Sequence, residues 1–395
     1  MRIVALMLLC STAAAAQDRN ILYINPAPLV TASRLQAMAG AAVGIAEGSE
    51  SLPFNYAAVA QRHPRRKAGF DWDLNFSVLF SPFQTLRDID NEGNEPVITA
   101  PVEYQVGGLI QFARFGIGTY VRGQQRSYCN VQPCIRSEAV QGSVIFGFNV
   151  WRDQIVFGVG LHLAIANFDV AATRFEYRGL NLGASMLVRP AYLPFRIGVH
   201  GVSETRGAPA FDPATLPDLG GRTAFAGVVS PARIFIGASA RFGEGAWRYN
   251  RLSASALKEL PNDYNYANVP HDLDPDDPRP PGRFLATFEL DVIFPVKNAT
   301  TFTPFLTGTL PRAVGEQVSL VPRLGFEAEA IDHRLRVRSG GYLEPPFLAG
   351  SSLRPHFTWG FELFLLNLGA AWSISASMDV AKSYLSMSFG IGWWT

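Results

Sequence analysis

Strict alternation between apolar and polar side chains from Arg323 to Leu343 constrains the fold of this chain more than any other sequence feature. The apolar positions of the first half are Leu324, Phe326, Ala328 and Ala330, with Glu327 and Glu329 between them. In the second half, apolar residues are separated by Arg334, Arg336 and Arg338. A period of two predicts strands that have one apolar and one polar face.

A two-residue turn at Asp332-His333 would join these two strands in a hairpin. It would pair Ile331 with Arg334, Glu329 with Arg336 and Glu327 with Arg338. Opposed residues of a hairpin share one face, so both Glu-Arg pairs would be cross-strand neighbours. Taken alone, such a hairpin also fits the solvent-exposed sheet of a soluble protein.

The same alternation recurs along most of the chain, and its repetition favours a membrane barrel. Apolar series of this kind begin at Phe70, Ile155, Phe284, Trp372 and Leu385. Only 17% of the residues are charged, whereas soluble proteins carry about a quarter. After the first residues no apolar run approaches the roughly 18 that a spanning helix needs. We therefore predict an all-β fold, a transmembrane antiparallel β-barrel formed by residues 68–395.

Long and short connections alternate between the predicted strands, as they do in bacterial barrels. Long connections are expected near residues 82–102, 123–138, 167–178, 204–222 and 244–282. Short ones are expected near Arg114, Arg152-Asp153, Pro190–Pro194, Ser230-Pro231 and Asp332-His333. A direct count gives about 16 strands, of which Thr301–Thr309 is the poorest candidate.

Residues 1–16 have the features of a secretory signal peptide. Met1-Arg2 is a basic start, an apolar run follows, and Ala14-Ala15-Ala16 forms a cleavage site before Gln17. We expect the signal peptide to be removed and the mature chain to reach the bacterial outer membrane.

Residues 17–67 lack strand alternation, and the part from 31 to 48 is rich in Ala and Gly. The segment nevertheless contains apolar residues that need cover, namely Met38, Val43, Ile45, Leu52 and Phe54. These two features predict a position inside the barrel lumen or against a partner. An N-terminal periplasmic helix is the alternative.

Short motifs mark both ends of the mature chain. In the N-terminal segment they are Arg34, Gly40-Ala41, Glu47-Gly48, Ser51-Leu52 and Asn55-Tyr56-Ala57. Near the C-terminus they span residues 322–346 and 377–394. These stretches resemble FadL-like and PorV-like outer-membrane proteins, although Tyr56 stands where those families have proline. The resemblance implies 14 strands, with 16 as the alternative.

The same resemblance implies that residues 17–67 fold into the lumen as a plug, or hatch. The candidate plug residues are Arg34, Gly40, Gly44, Glu47, Gly48, Asn55 and Tyr56. FadL-like proteins imply passage of small hydrophobic molecules across the outer membrane, gated by the plug. PorV-like proteins imply the alternative, a scaffold or secretion-system partner that transports nothing.

Charged residues fall on the inward parity of the predicted strands and form a candidate charge ladder in the lumen. Its members are Asp71, Asp73, Glu289, Asp291, Glu327, Glu329, Arg334, Arg336 and Arg338, and the same parity holds Arg233, Arg241 and Glu362. In a filled barrel such charges pair across strands and brace the wall. In an open barrel they line a solute path. Both alternatives remain open at this stage.

Other candidate sites carry less information. Cys129 and Cys134 lie in a predicted outer loop, where an oxidising compartment favours a disulfide and where no histidine supports zinc. The acidic loop 270–282 lacks the glycine and glutamate positions of an EF-hand, so we expect it to be solvated. No catalytic motif, cofactor site or metal site is predicted, and an enzyme is not expected.

Expected partners follow from the barrel and from charge. They are outer-membrane lipid, the barrel-assembly machinery and a small hydrophobic ligand. The net charge of +1 offers no basic surface for nucleic acid. We expect a monomer.

Overall fold

The computed structural model describes residues 21–24, 32–61, 70–81, 91, 98–128, 135–151, 153–170, 173–210, 225–250, 283–301, 313–332, 334–347, 352–367 and 371–394. The signal peptide, Cys129, Cys134 and the acidic loop 270–282 lie outside these residues. The expectations for them therefore remain predictions.

Strands dominate the described residues. In chain order they are β1 (Ile21–Tyr23), β2 (Phe70–Phe80), β3 (Ile98–Phe112), β4 (Phe115–Tyr128), β5 (Ile135–Val150), β6 (Ile155–Val170), β7 (Thr173–Val188), β8 (Phe195–Val202), β9 (Thr205–Pro209), β10 (Gly227–Ser230), β11 (Arg233–Phe242), β12 (Phe284–Ile293), β13 (Ala299–Thr300), β14 (Ser319–Ile331), β15 (Leu335–Glu344), β16 (Arg354–Asn367), β17 (Ala371–Ala381) and β18 (Tyr384–Trp394). One short helix, α1, spans Ser33–Ala37, and 3-10 turns span Ser49–Ser51, Tyr56–Ala60 and Ala246–Asn250.

The wall is a closed antiparallel barrel of 14 strands, which confirms the predicted fold class and the lower of the two strand numbers. Closure occurs where β18 pairs with β2, with Phe389 opposite Val78. Two wall strands each consist of two segments, β8 with β9 and β10 with β11, and these four segments pair with one another. The short strands β1 and β13 are additional to the wall.

The predicted parity of the wall is confirmed. On β12, Phe288 is 50% exposed on the outer face, whereas its neighbours Thr287 and Glu289 are buried on the inner face. The outer face repeats this apolar exposure from strand to strand, which is the surface that bilayer hydrocarbon covers in a membrane barrel. None of the helical segments in the described ranges has the length and apolar character of a membrane span.

The hairpin of β14 and β15 has the predicted Glu-Arg register, with a different turn. Glu327 lies opposite Arg338 and Glu329 opposite Arg336. The pairing of Ile331 with Arg334 is wrong, because an irregularity after Glu329 places Ile331 opposite Leu335. Arg334 consequently lies exposed in the turn, where its amide donates to the Ile331 carbonyl, and it does not join the luminal charges.

Two predicted connections are also wrong. The segment 167–178 is not a long connection, because β6 continues to Val170 and β7 begins at Thr173. Ser230-Pro231 is not a turn between strands but the interruption between β10 and β11, since proline cannot donate to a sheet ladder. Phe242 and Phe284, the strand ends that flank residues 243–283, therefore lie at the barrel end that also carries the short connection 189–194.

Candidate functional site: the lumen and its N-terminal segment

Residues 32–61, here called the luminal segment, lie inside the barrel. Every residue of this segment is buried except Gly48 and Pro53, which are half-buried. Helix α1 packs against β15 to β18, and the 3-10 turn Tyr56–Ala60 packs against β3 to β7. The luminal segment therefore contacts most of the wall and fills much of the lumen.

Wall glycines allow the luminal segment to approach the strands closely. A Cβ atom added to Gly198 on β8 would lie 2.0 Å from the Val43 carbonyl oxygen, and one on Gly158 would lie 2.3 Å from the Tyr56 carbonyl carbon. Gly44 within the segment meets the Ala238 backbone in the same way, at 2.7 Å. These contacts place backbone against backbone, which larger side chains would prevent.

Among the other candidate plug residues, Gly40 and Gly48 both have a φ of 75°, a conformation that favours glycine. Asn55 stabilises the following 3-10 turn, because its side chain accepts from Ala57 N at 2.9 Å. Its amide nitrogen also donates to the Val43 carbonyl at 2.6 Å. Tyr56 N donates to Ser185 Oγ of the wall at 2.8 Å. Asn55 and Tyr56 thus fix the bend between the two halves of the segment.

Arg34 is the charged centre of the luminal segment. Its guanidinium contacts Glu47 at 3.3 Å and Glu50 at 3.1 Å within the segment, and Glu327 of the wall at 3.4 Å. Burial raises the pKa of the Glu50 carboxyl to about 7, and the nearby Arg34 cation opposes that rise. Arg34 therefore links the segment to the wall through buried charge.

On the wall, Glu327 extends this network to three further strands. Arg338 contacts Glu327 at 2.8 Å and Glu362 at 2.5 Å. Arg241 contacts Glu327 at 3.5 Å. Charges of both signs are thus buried together in this part of the lumen.

The remaining predicted ladder residues have individual partners. Glu289 accepts from Ala42 N and Val43 N, both at 2.8 Å, and Asp73 accepts from Ser49 N at 2.8 Å. Asp291 pairs with Arg233, and Arg336 lies 3.8 Å from Glu362. Asp71 and Glu329 are buried on the inner face as well.

Two buried arginines that donate to backbone carbonyls of the luminal segment were missed by the sequence analysis. Arg196 on β8 contacts Glu47 at 2.7 Å and donates to the carbonyls of Ile45 and Tyr249. Arg323 donates to the Ala39 carbonyl at 2.8 Å. Each lies between two apolar residues of its strand. This alternation could have shown that the arginine side chain points into the lumen. Their partners in the luminal segment lie more than a hundred positions away along the chain and gave no local pattern.

A cavity of about 130 Å³ lies between the luminal segment and the wall. Phe54 of the segment and Ile24, which follows β1, contribute to its lining. Wall residues complete it, including Tyr120, His162, Asn181, Val228 and Phe235. The lining combines aromatic and aliphatic surface with a few polar groups, as small-molecule sites do.

The N-terminal strand β1 is added to the sheet next to this cavity. It runs parallel to β10, with Leu22 opposite Val228, and parallel to β13, with Leu22 opposite Thr300. Leu22 and Tyr23 are buried. The edge of β10 that does not face β9 is thus covered by the N-terminus of the chain.

No family model matches the sequence, and a comparison with curated protein sequences found no match. Solved structures are similar in fold across nearly the whole chain. The CymD monoaromatic hydrocarbon channel superposes with a TM-score of 0.56 at 10% identity, covering 94% of this chain and 98% of that one. The fold is that of the FadL-type outer-membrane barrels.

Two further FadL-type barrels show the same likeness. A Pseudomonas aeruginosa FadL homologue has a TM-score of 0.54 at 9% identity, and the superposition covers 93% of this chain and 98% of the homologue. The P. putida toluene transporter TodX has a TM-score of 0.52 at 10% identity with the same coverages. At these identities the likeness establishes the fold alone.

Substitution of Gly198 by alanine tests the close packing of the luminal segment. Because the added Cβ would overlap the Val43 carbonyl, we expect docking of the segment to weaken by about 1–3 kcal/mol. Limited proteolysis should then cleave the segment faster in Gly198→Ala. Gly201→Ala on the same strand, whose nearest atoms lie at 3.9 Å, should match the unmodified protein. Equal cleavage of both variants would contradict this packing.

Proposed function

We propose that this protein carries small hydrophobic molecules across the outer membrane and that the luminal segment acts as its plug. The cavity between the segment and the wall is the observation that carries the proposal. Its volume of about 130 Å³ is similar to the roughly 150 Å³ of an engineered protein cavity that binds benzene. A single ring fits such a space, and a long extended chain does not.

Three features support the same function. The CymD and TodX barrels are described as a monoaromatic hydrocarbon channel and a toluene transporter, which carry molecules of this size. The apolar parts of the cavity lining suit an uncharged ring. The luminal segment is buried almost throughout and is tied to the wall by the Arg34–Glu327 ion pair, as a plug requires.

The positions of β1 and Ile24 indicate the path that a ligand takes out of the cavity. Ile24 lines the cavity, and the three residues before it cover the free edge of β10. Release of this short strand would connect the cavity with the side of the barrel. We therefore assign β1 the role of an exit gate and the luminal segment the role of the plug. Export to the outer membrane with removal of residues 1–16 is part of this proposal.

Uptake by intact Gram-negative cells that produce the protein tests the proposed function. Cells with the full-length chain should accumulate radiolabelled toluene faster than cells with an empty vector, without faster entry of a sugar of similar size. Deletion of residues 18–54 should admit both solutes, since it removes most of the plug. Unchanged uptake in both cases, with a correctly folded barrel, would favour a non-transporting scaffold instead.

A further inference from the structure

A row of polar residues crosses four neighbouring wall strands at one level of the cavity. Tyr120 on β4 lies opposite Ser143 on β5, Ser143 lies opposite His162 on β6, and His162 lies opposite Asn181 on β7. All four side chains are buried, and Tyr120, His162 and Asn181 belong to the cavity lining. This row gives one wall of an otherwise largely apolar cavity a defined hydrogen-bonding edge.

Of the residues in this row that line the cavity, His162 and Asn181 each have one atom without a hydrogen-bond partner among the described residues. The Tyr120 hydroxyl is 3.1 Å from His162 Nδ1, which leaves His162 Nε2 without a partner. Asn181 Nδ2 donates to the Thr205 hydroxyl, which leaves Asn181 Oδ1 without a partner. Buried polar atoms normally have hydrogen-bond partners, so we expect a polar group of a ligand in the cavity to supply them.

The two unpartnered atoms have complementary roles. With the Tyr120 hydroxyl donating to Nδ1, the second ring nitrogen of His162 carries the proton and donates. The Asn181 oxygen accepts. Directly opposed residues hold their Cβ atoms about 4.5–5.5 Å apart, so one small group can reach both. A hydroxyl group accepts one hydrogen bond and donates another, which matches this pair.

The charges around the cavity do not favour an anion. Three arginines line the cavity, and each has a partner. Arg233 and Arg323 pair with Asp291, and the Arg122 guanidinium donates to Gln141 Oε1 at 2.9 Å. The Glu103 carboxylate lies in the same lining. A carboxylate ligand would also face the Asn181 oxygen, which can only accept. A neutral hydroxyl avoids both repulsions.

We infer that the cavity binds a monocyclic molecule that bears one hydroxyl group, a ligand of the phenol class. The ring lies against Phe54 and Phe235, and the hydroxyl accepts from His162 Nε2 and donates to Asn181 Oδ1. This inference rests on the proposed function and names the substrate class of the same site.

Binding of three probes to the purified full-length protein tests the inference. The probes are p-cresol, toluene and p-toluate, which share a methyl-substituted ring and differ in the polar group. By calorimetry, p-cresol should bind about tenfold more tightly than toluene, since the two buried atoms gain partners only with the hydroxyl. In His162→Phe and in Asn181→Leu this preference should fall to about one.

Asn75→Leu is the matched control for Asn181→Leu, because Asn75 is a buried wall asparagine on β2 that lies outside the cavity lining. It should keep the tenfold preference of the unmodified protein. Heat-modifiable migration on gels checks that every variant has a folded barrel. Asn181→Leu leaves His162 unchanged. Loss of the p-cresol preference in this variant would therefore come from the lost hydrogen bond and not from a change in the histidine ring.

Each other outcome overturns the inference. Equal binding of p-cresol and toluene, with toluene uptake by cells intact, would leave the proposed function standing without hydroxyl recognition. Tightest binding of p-toluate would assign the cavity to an anion held by Arg122. Absence of binding by all three probes together with absence of uptake would contradict both the inference and the proposed function.

Discussion

Replacement of Glu327 by glutamine is expected to destabilise the folded protein by about 3–5 kcal/mol, the usual cost of removing one partner from a buried ion pair. Glu327 is buried and contacts Arg34, Arg241 and Arg338. A neutral amide at this position leaves three buried cations with fewer counter-charges. Urea titration of the refolded barrel, followed by tryptophan fluorescence, measures the loss.

Glu50→Gln provides the comparison for this variant. Its carboxyl also contacts Arg34, at 3.1 Å. Because burial raises the pKa of Glu50, the charge of this carboxyl contributes less to the network. The free energy of unfolding should therefore change much less than in Glu327→Gln. Equal losses in the two variants would show that Glu327 is not the centre of the network.

The second large effect concerns the lipid-facing surface. Phe288→Arg should destabilise the barrel by about 2–4 kcal/mol, because Phe288 is exposed in the middle of β12, where the outer face meets hydrocarbon. Phe284→Arg changes the same residue type on the same face at the end of the strand. There an arginine reaches the interface, and the expected cost is about 0–1 kcal/mol. Unfolding titrations in lipid vesicles compare the two variants.

Similar losses at Phe288 and Phe284 would contradict a transmembrane position for β12. Thr287 is not a suitable control, although it has the opposite parity. Its hydroxyl donates to the Ala41 carbonyl at 3.0 Å, so an arginine at this position would collide with the luminal segment. A filled lumen makes inward substitutions costly too.

Much of the wall could be predicted from the sequence, because a period of two is a local signal. It predicted the outer face around Phe288 and the opposition of Glu327 and Arg338. Local signals failed where strand continuity depends on neighbouring strands. Ser230-Pro231 has the composition of a turn, yet β10 continues into β11 because β8 and β9 pair alongside both.

The candidate site was harder to predict than the wall. The Ala- and Gly-rich composition of residues 31–48 indicated a buried segment but not its partners. Tyr120, His162 and Asn181 come together only through the register of β4 to β7. The addition of β1 beside β10 had no sequence signal, because a three-residue strand is too short for periodicity.

A reversible lock between the luminal segment and the wall tests the central claim most directly. Ser33 Oγ and Ser375 Oγ are in direct contact, so cysteines at both positions are placed to form a disulfide between α1 and β17. Cells that produce Ser33→Cys/Ser375→Cys should take up radiolabelled toluene at the empty-vector rate when oxidised. Treatment with dithiothreitol should restore the full rate, and either single variant should be insensitive to oxidation. Equal uptake by the oxidised and reduced double variant would contradict a movable plug.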